Sequence, residues 1–403
     1  METAKLNELA TLINGRAYLM PELQKQGKYR IVRVGNFTGK DEWYYSDMEL
    51  APEKYCEDGD LLFKWACTFG PEYWHGEKSI YHYHIWKVVV NDLLMDKDYL
   101  YYYLKLMTPK WLCATNGSTM VHLTKETMEN EIVSFPSSLG IQKAVAATLR
   151  LLDDAIENNN SVCSDLEAAA KLLYDYWFVQ YDFPDENGKP YKSSGGKMVW
   201  NDELKREIPA GWSVGNLYDI AEYANGLACQ KYRPLEGDKG LPVIKIKEMH
   251  GGYSSETERV KSNIPDKNIV RPGDLLFSWS ASLEVMIWTR QTGGLNQHIF
   301  KVIPKRPFNR SYVYFQLGSY LAQFKRMAES RKTTMGHITS DHLEQSRIVL
   351  PPSTLLDMYS NKTSSLIDQI VEVSGVAETL TDIRDYTLPL LMNGQVTIGD
   401  DGK

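Results

Sequence analysis

Three sets of side chains in this sequence have the types and spacing to do chemistry. His82 and His84 stand two apart on an apolar run, so a strand would set both rings on one face, as in a metal pair. Pro184-Asp185 followed by Glu203-Leu204-Lys205 mimics the acid, acid and lysine set with which many nucleases bind magnesium and activate water. The third set is basic and amide-rich: Arg290, Gln291, Asn296, Gln297, Lys305 and Arg306, continued by Arg310, Lys325, Arg326, Arg331 and Lys332. These types contact phosphates, and Arg, Gln and Asn also pair bidentately with base edges in the major groove.

Other sites are excluded by their missing signatures. No Gly-rich phosphate loop ends in Gly-Lys-Ser/Thr, and no Gly-x-Gly-x-x-Gly opens a nucleotide fold. An amino-methyltransferase needs an Asn/Asp-Pro-Pro-Tyr/Phe turn, and Leu350-Pro351-Pro352-Ser353 lacks both its polar and its aromatic end. The net charge of −7 counts against a nucleic-acid protein only on average, because residues 290–332 hold nine Lys and Arg against the single acid Glu329. That window predicts a basic surface inside an acidic chain.

The elements that position these residues come from a repeat, the strongest signal in the sequence. Gly59-Asp60-Leu61-Leu62-Phe63-Lys64-Trp65 recurs as Gly273-Asp274-Leu275-Leu276-Phe277-Ser278-Trp279, and His84-Ile85-Trp86-Lys87-Val88 as His298-Ile299-Phe300-Lys301-Val302, both offset by 214. Asn14-Gly15-Arg16-Ala17 returns as Asn225-Gly226-Leu227-Ala228, and Thr119 to Thr124 as Thr334 to Thr339. His82 corresponds to Asn296 rather than to a second histidine, which favours hydrogen bonding over a shared metal site. Asp60 and Asp274 follow glycines at turns, where capping the turn is the expectation. Asp185 and Glu203 fall in a polar stretch with no strand to bring them together, so the nuclease set is set aside.

Each unit starts with apolar runs of strand length, such as Ile31 to Val34, Leu61 to Trp65 and Ile85 to Val90, alternating with short helical segments. After Pro136 and Pro352 the pattern turns helical for about 40 residues, roughly 60 Å of helix at 1.5 Å per residue. The first seam reads Ile141, Val145, Leu149, Leu152, Ile156, Asn159, Cys163, Leu166, Ala170, Leu173 and Trp177 in steps of three and four. The second reads Leu355, Tyr359, Thr363, Leu366, Ile370, Val373, Ala377, Leu380, Arg384, Thr387 and Leu391. Two such seams bury most simply against each other as an antiparallel pair. Asn159 either fixes register in that pair or, with Asn158 and Asn160, breaks the first helix in two.

The expected division is a domain over 1–136, a long helix over 137–181, an exposed Pro/Gly/Ser connector over 182–207, a second domain over 208–350, a second helix over 351–395 and a tail over 396–403. The fold class is mixed α/β: two tandem α/β domains, each followed by a long helix, related by pseudo-two-fold symmetry. A chain of 403 residues exceeds one compact core. Even its best apolar run, Val88 to Val90, is closed by Lys87 and Asp92, so no membrane span is expected. Cys56, Cys67, Cys113, Cys163 and Cys229 never stand at Cys-x-x-Cys spacing, which fits a reducing cytoplasm.

The tandem units, the Gly-Asp-Leu-Leu-Phe-Ser segment at 273–278, the Ile208-Pro209-Ala210-Gly211-Trp212 entry and the terminal Leu390 to Val396 together resemble the specificity subunits of type I restriction-modification systems. The first unit lacks that Ile-Pro-x-Gly-Trp entry, and Pro352-Ser353-Thr354-Leu355 lacks the Glu-Gln pair that often follows the two prolines. The resemblance implies a subunit without catalysis, whose two target-recognition domains each read half of a bipartite DNA sequence while the paired helices set the gap. It implies double-stranded DNA, two methyltransferase subunits and two restriction-translocase subunits as partners. S-adenosylmethionine, ATP and magnesium would be used by those partners, with no cofactor on this chain. Residue type and position mark as the expected DNA contacts Arg33, Asn36, Lys64, Lys110, Asn116 and Thr119 in the first unit. In the second they are Lys245, Lys247, Arg290, Asn296, Gln297, Arg306, Arg331, Lys332 and Thr334. The helix contacts are Leu149, Leu152, Ile156, Leu166 and Leu173 with Leu366, Ile370, Val373 and Leu380. The rival from residue types alone is a two-fold protein scaffold that does not read DNA.

Overall fold

A computed structural model describes residues 1–39, 41–114, 123–280, 282–330 and 340–398. The chain divides into two compact units, one of Met1–Asp154 with the chain from Leu380 onward, the other of Ala155–Thr379. Each unit therefore takes part of both long helices.

The first unit holds two four-stranded sheets. One runs Ala10–Asn14, Ile85–Val90, Leu61–Lys64, Gly70–Tyr73, antiparallel throughout. The other runs Tyr44–Ser46, Tyr29–Val32, Ser79–Tyr81, Tyr55–Cys56, with its central pair parallel. The second unit repeats both. Ala221–Asn225, Ile299–Pro304, Leu275–Ser278 and Glu284–Ile287 form the antiparallel sheet. Arg259–Val260, Leu241–Ile244, Gly293–Leu295 and Ile269–Val270 form the mixed one, again with one parallel pair. The mixed α/β class expected from the repeat is the observed one, and the four-stranded sheets of the two units match each other strand for strand. Leu61–Lys64 and Leu275–Ser278 are buried at every position, three apolar residues followed by a buried Lys64 or Ser278, as central strands covered on both faces should be.

In each unit a helix covers the antiparallel sheet: Lys97–Ala114 in the first, Arg310–Ser330 in the second. The first core gathers Leu12, Phe63, Trp86, Tyr99 and Leu104 with Val145 and Leu149 of one long helix and Leu388 and Leu391 of the other. The second gathers Phe277, Tyr312, Val313 and Phe324 with Ala170, Trp177, Leu355 and Tyr359.

The two sheets of a unit are joined by a lysine. Lys87 Nζ donates to the Tyr55 carbonyl at 3.1 Å and to Asp60 Oδ2 at 2.6 Å, and the same carboxylate oxygen accepts from Glu57 N. Lys301 repeats the arrangement on the Ile269 carbonyl at 2.9 Å and Asp274 Oδ2 at 2.7 Å, and Asp274 accepts from Arg271 N. Both aspartates cap their turns, as expected, and also neutralise a lysine that is largely out of water.

The connector expected over 182–207 is exposed along most of its length, as expected, but it is folded rather than a flexible tether. Asp182 is buried and accepts from the Ser193 amide at 2.7 Å and hydroxyl at 2.6 Å. Phe183 stacks on Tyr191 and Trp212, and Met198–Asn201 pairs with Arg206–Pro209 as a hairpin. Its small and turn-forming residues shape tight, hydrogen-bonded turns around aromatic anchors that composition alone conceals.

The long helices are Leu139–Tyr174, 36 residues, and Ser353–Met392, 40 residues. The first is unbroken through Asn159, whose Nδ2 donates to the Ala155 carbonyl. Of the first predicted seam, only Ile141 points to solvent, at 53% exposure. Its neighbour Gln142 is buried instead, because its amide satisfies the Asp96 amide and the Leu94 and Pro136 carbonyls. Leu149 is buried, and Leu152, Ile156, Leu166 and Leu173 are half-buried. On the second helix Ile370 is buried and Leu366, Val373 and Leu380 are half-buried. Within the second unit Trp177 meets Tyr359, and Cys163 Sγ lies 3.2 Å from Ser374 Oγ. Within the first, Asp153 accepts from Arg384 Nη1 at 2.7 Å. In this set, residues later on one helix meet residues earlier on the other.

Because Lys301 and Asp274 are mostly removed from water, deleting one partner strands the other. Lys301→Met is expected to cost the second unit about 2–3 kcal/mol, read as a lower urea midpoint at unchanged slope. An unshifted midpoint would assign the clamp no structural weight.

Candidate nucleic-acid interface

The chain passes from the mixed sheet to the antiparallel sheet through a three-residue turn, His82-Tyr83-His84 in the first unit and Asn296-Gln297-His298 in the second. The two turns have the same backbone. His82 N donates to the Val32 carbonyl and Asn296 N to that of Ile244. Tyr83 N donates to Arg16 O at 3.0 Å and Gln297 N to Leu227 O at 2.9 Å. Ile85 N closes on His82 O at 3.0 Å, and Ile299 N on Asn296 O at 3.1 Å. A glycine makes this closure possible: a Cβ on Gly15 would lie 2.3 Å from the His82 carbonyl oxygen, and one on Gly226 2.0 Å from that of Asn296.

The first side chain of each turn is used internally. His82 Nδ1 accepts from His84 N at 3.5 Å, and Asn296 Oδ1 from His298 N at 3.3 Å. This explains why a histidine and an asparagine stand in register: both place an acceptor near the backbone amide two residues on. Burial pushes the His82 imidazole down to about 4, with His84 and Arg33 adding to the shift. It is therefore neutral near neutral pH and accepts a hydrogen bond rather than clamping a phosphate. The middle residue projects outward, Tyr83 at 39% exposure and Gln297 half-exposed.

Each turn is flanked by an indole and a cation. Trp65 meets the His84 ring edge-on at 5.2 Å and its Nε1 donates to the Tyr83 carbonyl at 2.8 Å; Trp279 lies 5.7 Å from His298. Arg33 directly follows Val32, the strand residue that receives the first turn amide, and Lys245 follows Ile244 in the same way. Arg33 lies over Tyr44 at 4.3 Å with Glu42 at 3.6 Å, and Lys245 pairs with Glu258 at 2.8 Å. Such rim pairs are weak in water, so a phosphate can take over the cation.

Of the residues expected to contact DNA, the structure brings Arg33, Lys245 and Gln297 to these turns. Two expectations are corrected. Lys64 is 6% exposed and bonded to Glu72 at 3.0 Å, and Asn296 is equally buried and occupied by the turn, so neither presents a group to a base. Asn36 caps Arg33 N and donates to Glu42 O, a structural task. Lys247 pairs with Glu256 on the surface, and Arg290 with Glu378 of the long helix. Lys110 and Arg306 are exposed on other parts of their units. Asn116, Thr119, Arg331, Lys332 and Thr334 lie outside the described residues. The nuclease set resolves into structure: Asp185 accepts from Asn187 N and Lys189 N, and Glu203 pairs with Arg347. No group of three His, Cys, Asp or Glu among the described residues is arranged to hold a metal. Tyr83 carries no signal by residue type, and only its alignment with Gln297 at the repeat offset marks it.

The family described as "Type I restriction modification DNA specificity domain" matches residues 1–167 and 209–354. The chain is 25% identical over 312 residues to the type I restriction enzyme MjaIX specificity subunit of Methanocaldococcus jannaschii, covering 75% of this chain and 69% of that protein. It is 22% identical over 340 residues to the HindI specificity subunit of Haemophilus influenzae, covering 71% and 74%. A solved type I restriction-modification S subunit from M. genitalium shares the fold at a TM-score of 0.59 and 15% identity, across 97% of this chain and 95% of that one.

Two outcomes are expected from the turn geometry. Gly226→Ala forces a side-chain carbon into the Asn296 carbonyl and should cost about 2 kcal/mol or more, measured by thermal unfolding; a neutral result would show the turn to be loose. His82 should titrate by NMR with a midpoint near 4, against about 6.5 in the unfolded chain. The unfolded state then binds a proton the fold refuses, so this contribution to stability is complete above about 6.5 and is lost as the pH falls toward 4. His82→Asn, which keeps an acceptor, should flatten that slope.

Proposed function

Because the chain belongs to the family of type I restriction-modification DNA specificity proteins, we propose that each of its two units reads one half of a bipartite double-stranded DNA target. The observation that carries this reading is the turn built twice on one backbone with different side chains: a constant frame presenting variable groups is what reading two different half-sites requires. The long helices act as the spacer between the two readings. They pack as an antiparallel coiled coil with pseudo-two-fold symmetry, the antiparallel sense supported by the opposed order of the contacts Cys163 to Ser374 and Asp153 to Arg384 within their units.

The chain does not catalyse. It positions two methyltransferase subunits, which transfer a methyl group from S-adenosylmethionine to adenine, and two restriction-translocase subunits that use ATP and magnesium, and it binds no cofactor itself. The work takes place in the cytoplasm, in keeping with the lack of any helix among the described residues long and apolar enough to cross a membrane. The first unit, Met1–Asp154 with the chain from Leu380 onward, holds 19 Lys and Arg against 25 Asp and Glu. The first unit therefore depends on its partners for much of its hold on phosphate, because backbone affinity scales with cations brought to the duplex.

The test is a genome-wide map of methylated adenines in cells with and without an intact copy of the gene. One motif of two short halves around a fixed gap should vanish when the gene is broken. If cells that make the methyltransferase partners show no motif that depends on this gene, the reading fails and a scaffold without DNA recognition takes its place.

A further inference from the structure

Resting on that reading, we propose that the middle residue of each turn, Tyr83 in the first unit and Gln297 in the second, determines the sequence of its half-site. Elimination within the turn leads there. The first position is spent on the fold, since His82 and Asn296 both accept the amide of the third residue. The third position is histidine in both units and cannot make two halves differ. Only the middle position combines a side chain facing outward with a change of chemistry.

The frame around it is suited to reading. The middle residue's own amide is bound, by Arg16 O in one unit and Leu227 O in the other, and a glycine pressed against the preceding carbonyl leaves the turn no slack. A group held this way meets a base edge without first losing backbone freedom. Arg33 and Lys245, one strand away, supply the phosphate contact that sets register while carrying no sequence information.

The chemistry of the two residues differs in kind. The Gln297 side chain ends in one donor and one acceptor in a plane, the pattern that matches N6 and N7 of adenine in the major groove. Its Nε2 lies 3.4 Å from His298 Nε2, so the imidazole helps to orient the amide. Tyr83 has a ring tilted by 46° against that of His84, with 3.9 Å between centroids, and one hydroxyl, which suits a thymine methyl or an exposed base face rather than a paired amide contact.

The experiment maps methylated adenines in cells carrying the full complex with Gln297→Ala and, separately, Tyr83→Ala. Each variant should relax one base position of one half-site about tenfold, leave the other half intact, and affect a different half from its counterpart. Gln297→Glu keeps the size of the side chain but offers acceptors only, and should move the preference at that position from adenine toward cytosine. The proposal is overturned if both halves keep their sequence in every variant, or if methylation falls evenly at all sites with the motif unchanged. It is equally overturned if all three variants abolish methylation outright. A wild-type complex that yields no bipartite motif would instead remove the specificity reading itself, and this inference with it.

Discussion

A lysine ammonium withdrawn from water must be surrounded by acceptors, and that requirement organises each unit. Lys87 and Lys301 sit on the strands that leave the turns, and each reaches a carbonyl of the neighbouring sheet and an aspartate that caps a third segment. Three pieces of backbone are fixed by one side chain. The penalty for leaving such a charge unpaired makes any separation of the sheets at this point costly, and the point is where the chain crosses from one sheet to the other. The presented side chains owe their placement to a salt bridge several residues away.

The same economy appears in the turns themselves. Most polar groups near them are consumed by the fold: Asn36 as a cap, Asn296 and His82 as acceptors, Lys64 by Glu72. What remains outward is small in extent and distinct in chemistry between the units. Residue type alone overestimates such a surface, because the groups that bind bases are also those that satisfy backbone amides.

Much of the architecture was legible in the amino-acid order. The repeat located equivalent strands, and the three-four spacing located both long helices, since burial periodicity is a direct imprint of helix geometry. Ile141 misled because one buried amide, Gln142, had three backbone groups to satisfy at the start of its helix, a demand invisible to a hydrophobic pattern. The stretch over 182–207 misled for the opposite reason, its turn-forming composition hiding Phe183, Tyr191 and Trp212 packed together. The candidate turns were legible only in part. Arg33, Lys245 and Gln297 could be named from type, whereas Lys64 and Asn296 could not be separated from them without burial, and Tyr83 became visible only when two copies of one turn were laid over each other.

The turn's closure against Gly15 and Gly226 has a bearing on how such a chain changes over generations. Where backbone geometry is fixed by amides, carbonyls and a glycine, the outward side chain is exempt from the folding constraints that govern its neighbours. A single codon can then alter what is presented without unsettling the domain. On the proposed reading, one unit can take a new preference while the other stays as it was, and each such change begins from a protein that still folds.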